Sequence, residues 1–209
     1  MFERTLWLAI YFGVLIWSGI APKDGFIWLL EVFPALVGGV LIVATYRRFP
    51  LTRMLYWLLL AHAVILMIGG HYTYAEVPWF DTLRESFDWQ RNNYDKVGHF
   101  AQGFIPAILA REILLRLKVL KARTWLNFLV VCICLAVSAL YELVEWGVAL
   151  ASGDAAVEFL ATQGDPWDTQ SDMGFALVGA VLALVFLSRW HDRQLACLAA
   201  AQGLKNGKL

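Results

Sequence analysis

Charge is what this chain has least of. Asp, Glu, Lys and Arg make up 16% of its 209 residues and apolar types 60%, with a mean hydropathy of +0.60. Soluble domains carry about 25% charged residues, so this composition excludes an ordinary water-solvated globule and points to a chain embedded in lipid. The charges present cancel, 17 basic against 17 acidic. No net field draws in an acidic polymer, and no nucleic-acid partner is expected.

Cysteine is scarce too. Cys132 and Cys134 lie two apart in an apolar run, which points them to different faces of a helix, and Cys197 lies near the end. Neither a disulfide nor a metal-thiolate site follows from that spacing. Also missing are a phosphate-cradling glycine loop, an H-E-x-x-H pair and a nucleophile elbow, so no catalytic residue is assigned.

What the chain does have is long apolar segments. Six of them run over about 5–20, 25–45, 51–70, 97–115, 125–151 and 173–188. A helix rising 1.5 Å per residue needs ~20 residues to cross about 30 Å of hydrocarbon, and most of the segments approach that length. Lipid offers no partner to an exposed peptide group, so segments this long must be helical. The expected fold is all-α, a polytopic membrane bundle of six transmembrane helices in a single domain covering 1–209. Residues 5–20 form an uncleaved first span in this reading, because Pro22 follows directly on the only small-residue cleavage candidate.

Basic residues set the orientation. Thirteen of 17, including Arg47, Arg48, Arg53, Arg116, Lys118, Lys121 and Arg123, fall on one side of six alternating spans, with three acids for company. The other side holds Lys23, Arg84, Arg91 and Lys96 against fourteen acids. Positive charge is retained in the cytoplasm, so both termini are expected there.

Counting along the helices then brings polar residues to one periplasm-facing level. Asp95 stands at the outer lip of the fourth span, and His99, four residues on, shares its face ~5 Å deeper. Glu142 and Glu145 reach the same level near the end of the fifth span, and Asp168 and Asp172 share a face if the last helix begins early. His71, Glu31 and Asp165 are secondary members, and Asp95, His99, Glu142 and Asp172 are the candidate ligands for a metal. Small residues around this level, Gly98 and Gly103 on the fourth span and Gly174, Ala176, Gly179, Ala180 and Ala183 on the sixth, suit close helix approach. His62 near mid-membrane reads as a histidine bonded to a neighbouring helix, and Arg111-Glu112 as a snorkelling interfacial pair. The stretch from Trp79 to Asn93, with Arg84, Glu85, Asp88 and Arg91, reads as a solvated cover, and the tail from Leu195 as frayed.

With Tyr94-Asp95-Lys96-Val97-Gly98-His99-Phe100, Tyr141-Glu142-Leu143-Val144-Glu145-Trp146 and the aspartates from Asp165 to Asp172 in view, the chain resembles the YjdF family of bacterial inner-membrane proteins over its whole length. From Asp95 to about Phe186 it is also similar to the wider VanZ-like group, in which an Asp-Lys, a His-Phe, a helix Glu and spaced aspartates precede a glycine-containing final span. That group tends to have Gln where this chain has Glu145. The resemblance implies a multi-pass protein of the bacterial inner membrane with a shared scaffold and polar layer, and leaves activity unresolved.

Three functions fit these residues. The polar layer holds a divalent cation or a lipid headgroup for outer-leaflet chemistry, carboxylates favouring Mg, Ca or Mn and imidazole admitting Zn. Alternatively it is the site of a proton- or cation-coupled transporter of a small solute, or it only cements a non-catalytic membrane scaffold. Expected partners are the bilayer and a lipid or small-solute ligand. Oligomeric state is not legible in the sequence.

Overall fold

A computed structural model describes residues 2–152 and 162–205. Among them the chain is helical: α1 (Phe2–Gly19), α2 (Gly25–Thr45), α3 (Arg53–Tyr72), a short α4 (Pro78–Ser86), α5 (Tyr94–Arg116), a 3-10 turn (Arg123–Trp125) running into α6 (Leu126–Ser152), and α7 (Asp168–Lys205). Part of the acidic loop expected before the last helix, 153–161, lies outside the described residues, as do 206–209.

Local chemistry sets several boundaries. Asp24 caps α2 by accepting from the Phe26 and Ile27 amides at 2.7 and 2.8 Å. Pro78 opens α4 at a position where its missing amide costs nothing. The last helix does begin early, at Asp168, and it does not end near Leu195. Ala196, Ala199, Ala200 and Ala201 are strong helix formers with no Gly or Pro among them, which carries α7 on to Lys205 and corrects the expectation of a frayed tail.

Among the described residues four helical stretches are long and apolar enough to cross a membrane: Gly25–Thr45, Arg53–Tyr72, Arg123–Ala151 and Asp168–Gln202. Six were expected. α1 has only 18 residues and spends two of its first turn on Glu3 and Arg4. α5 is long enough, but Asp95, Lys96, Arg111, Glu112 and Arg116 break its apolar character. Four of those five charges are buried, because α5 is the helix the others enclose: it packs against α7, α6 and α3. The outside of the bundle shows the opposite chemistry, with Phe33, Val43, Leu140, Leu143, Val185 and Phe186 all exposed. Polar inside and apolar outside is the distribution lipid demands.

Three apolar clusters hold the described helices, the smallest being Tyr74, Val77 and Tyr94. Tyr11, Val32, Ala35, Leu60, Ala63 and Met67 join α1, α2 and α3, with the Tyr11 hydroxyl donating to the Ala35 carbonyl at 2.9 Å. Leu55, Ala107, Ile108, Val130, Cys134, Ala180 and Ala183 join α3, α5, α6 and α7.

Between hydrocarbon tails and leucines there is little hydrophobic drive, so close backbone approach matters more. At the α5–α7 crossing a Cβ on Gly103 would stand 1.8 Å from the Ala176 carbonyl oxygen, and one on Gly179 would stand 2.2 Å from that of Phe100. Gly174, expected to share this face, has open space where its Cβ would be. Gly103→Ala and Gly179→Ala should each destabilise the fold by about 1–3 kcal/mol despite alanine's better helix propensity, because backbone must move. Gly174→Ala should be neutral or gain up to ~1 kcal/mol. Unfolding midpoints in mild detergent separate the three; equal effects would remove the close crossing from this account.

Candidate functional site

The polar layer is built from the α5 N-terminus outward. Asp95, Lys96 and His99 are all buried there, which a helix in contact with lipid would not tolerate. Lys96 Nζ lies 2.6 Å from Asp168 Oδ1 and 2.7 Å from Asp172 Oδ1, tying the first turn of α7 to α5. Arg91 completes the clamp: its guanidinium donates to Asp168 Oδ1 and reaches Asp95 Oδ2 at 3.3 Å and Asp165 Oδ2 at 3.6 Å. An exposed, mixed-charge cover was expected over this stretch; Arg91 is instead buried, because three carboxylates surround it.

Arg91 is aimed by an amide zipper. The Asn92 amide donates to Gln163 Oε1, and Gln163 Nε2 donates back to the Asn92 carbonyl, both at 2.9 Å. Asn92, fully buried, also donates through Nδ2 to the Val77 carbonyl and accepts from the Tyr94 amide. The turn before α7 is thereby fixed over the α5 N-terminus.

These clamps use one oxygen of each key carboxylate and leave the other. Asp95 gives Oδ2 to Arg91 and Asp172 gives Oδ1 to Lys96. Asp95 Oδ1 and Asp172 Oδ2 instead face His99 Nε2, at 3.4 and 3.9 Å. The other imidazole nitrogen, Nδ1, lies 2.9 Å from Gln102 Oε1. An amide oxygen only accepts, so Nδ1 carries a proton; Nε2 faces two carboxylate oxygens, a donor to them when protonated and a ligand atom toward a cation when not. Both separations are long for a hydrogen bond, and one atom each of Asp95, His99 and Asp172, from α5 and α7, converges on one gap. Asp95, His99 and Asp172 can offer one ligand atom each, all within 4.8 Å of one another.

Glu142 stands just behind, its Oε1 3.8 Å from His99 Nδ1 and buried with no hydrogen-bond partner. Beside the gap lies a cavity of ≈ 170 Å³ lined by Asp95, His99 and Asp172 and also by Glu31, His62, Tyr74, Tyr141 and Glu145. Six carboxylates, those of Glu31, Asp95, Glu142, Glu145, Asp168 and Asp172, thus gather around two permanent cations, Arg91 and Lys96, and one imidazole. His71 is not among them: it bonds the Ser18 carbonyl at 3.0 Å and packs on Trp17 where α1 meets α3. Asp165 sits at the rim, half-exposed, capping the Trp167 amide. His62 lines the cavity rather than bonding a neighbouring helix among the described residues.

A second buried cluster closes the other end of α5. Glu112, read from sequence as half of a snorkelling pair, is fully buried and accepts from the Thr52 hydroxyl at 2.8 Å, Arg116 at 2.8 Å and His191 Nε2 at 3.1 Å. Arg111 donates to His191 Nδ1 and to Asp192, both at 2.9 Å. A guanidinium only donates, so His191 is held as the neutral Nε2–H tautomer. Snorkelling fails here because α5 is enclosed and its charges find partners closer than water.

Residues 3–193 match the model of a family described as "Predicted membrane protein (DUF2238)". The chain belongs to the DUF2238 family. It is 53% identical over 182 residues, 87% of each chain, to the "Inner membrane protein YjdF" of Escherichia coli strain K12. No solved structure matches. Membership makes this a membrane protein and says nothing of a reaction, so within the DUF2238 scaffold the argument for function rests on the cluster itself.

Removing Lys96 should show how much the clamp matters. Lys96→Met leaves buried Asp172 without its lysine while Asp168 keeps Arg91, and a loss of about 3–5 kcal/mol is expected. Adding Asp172→Asn to Lys96→Met should recover part of that loss, whereas independent sites would add. Denaturant or thermal unfolding in detergent gives the cycle.

Proposed function

We propose that this DUF2238 protein is a six-span protein of the bacterial inner membrane with both termini in the cytoplasm, whose periplasm-facing polar layer binds a divalent cation. Supporting the six spans, α5 carries its charges inward and α1 packs on α2 and α3 through Tyr11, so neither needs the uniform hydropathy of a lipid-facing helix. Supporting the orientation is the division of basic residues between the two sides. A periplasm-active reporter fused after Leu209 should be silent and a cytoplasm-active one bright; the reverse pattern would invert the topology.

One observation supports the cation: two carboxylate oxygens and His99 Nε2 converge on one gap, each able to offer a ligand atom, and a divalent ion would take the place of any proton on Nε2. The ligand chemistry, one nitrogen with carboxylate oxygens, suits Zn or Mn better than Ca or Mg. Gln102 holds the His99 ring in the metal-binding tautomer, the part an outer-shell group plays in metal sites. A cation there would have open positions toward the cavity, where it can polarise water or steady a phosphate oxygen.

Purified protein titrated with Zn or Mn should bind about one ion per chain, and His99→Ala or Asp172→Asn should weaken binding at least tenfold. Gln102→Leu should cost ~10–100-fold without touching a ligand atom. Affinity unchanged in His99→Ala would end the proposal.

A further inference from the structure

The cavity beside the Asp95–His99–Asp172 cluster is also lined by residues of a different chemistry. Glu31 of α2 is 6% exposed and Glu145 of α6 faces the same space, and neither takes part in an ion pair among the described residues. The rings of Tyr74 and Tyr141 line the cavity between them. Carboxyl groups with no ion-pair partner among the described residues, beside tyrosine rings, suit an organic ammonium group, which would pair with them as carboxylates. A neutral ligand would leave that pairing unused.

A second cavity adjoins this chamber. Pro34, His62 and Leu66 also line a narrower crevice of ≈ 90 Å³ between α1, α2 and α3, whose walls are otherwise mostly apolar or glycine, Gly38, Ile42 and Ala63 among them. On α2, Glu31, Pro34, Gly38 and Ile42 follow at helical spacing, so one face descends from a carboxylate into an apolar track about 16 Å long. A Cβ on Gly38 would meet nothing within 4 Å, so the protein itself does not fill the track there. A small hydrophilic amine would use the chamber and leave this track empty.

We infer that the cavity takes an amphiphilic amine, with its ammonium group between Glu31 and Glu145 and its hydrocarbon chain along α2 toward Ile42. This deepens the cation-binding reading of the same cavity and rests on it only in taking the cavity as a ligand site; the two use different lining residues.

Radiolabelled dodecylamine binding to the full-length protein in nanodiscs tests it, with butylamine and dodecanol as competitors. Saturable binding of about one molecule per chain is expected, butylamine and dodecanol each competing at least tenfold more weakly. Glu31→Gln, and independently Glu145→Gln, should lower affinity about tenfold or more. Gly38→Leu, whose Cβ meets nothing within 4 Å, should erase the advantage of dodecylamine over butylamine. Asp172→Asn should leave dodecylamine binding within about twofold while divalent-cation binding is lost, so failure of the metal site and failure of the amine site are read separately. Dodecanol competing as well as dodecylamine, or folded Glu31→Gln and Glu145→Gln both binding like the parent chain, would overturn the inference.

Discussion

Lys96 is held between Asp168 and Asp172, and most of the molecule's logic depends on that contact. A charge buried in a lipid-embedded bundle needs a partner, and α5 carries such charges at both ends. At one end Lys96 and Arg91 fasten the start of α7; at the other Arg111 and Glu112 fasten its far half through His191 and Asp192. Between the two clamps Gly103 and Gly179 let the backbones touch. The ion pairs set register, and the glycines set distance.

That register has a chemical consequence. Because Lys96 and Arg91 each draw on one oxygen of Asp172 and Asp95, the remaining oxygens are turned toward His99 rather than toward a cation of the chain. The ligand geometry is therefore a by-product of the fastening. A protein that only needed α5 and α7 held together could do so with Lys96 and Asp168 alone; the additional carboxyl groups of Glu31, Glu142 and Glu145 take no part in that clamp.

Much of the architecture was legible. The limits of α2 fall where the apolar segment does, since Asp24 and the polar turn after Thr45 mark them, and the helical character of the long segments follows from the backbone's needs in lipid. Helical spacing was enough to place Asp95 with His99 and Asp168 with Asp172. Arg91 was not legible, because its partners lie four to 77 residues away across a loop and nothing local distinguishes it from Arg84. Glu112 and His191 are 79 residues apart, on helices whose register is set only once they pack; from sequence each looks like a charge near a membrane surface. His71 shows the converse: the same level along a helix does not mean the same place in the bundle, since it faces α1.

The central claim is that Asp95, His99 and Asp172 act together on one cation. X-ray absorption fine structure of the zinc-loaded protein tests it most directly. The account predicts a first shell with a single imidazole nitrogen and otherwise oxygen, the imidazole signal vanishing in His99→Gln. A shell with two or more imidazoles, with sulfur, or with no imidazole at all would contradict it.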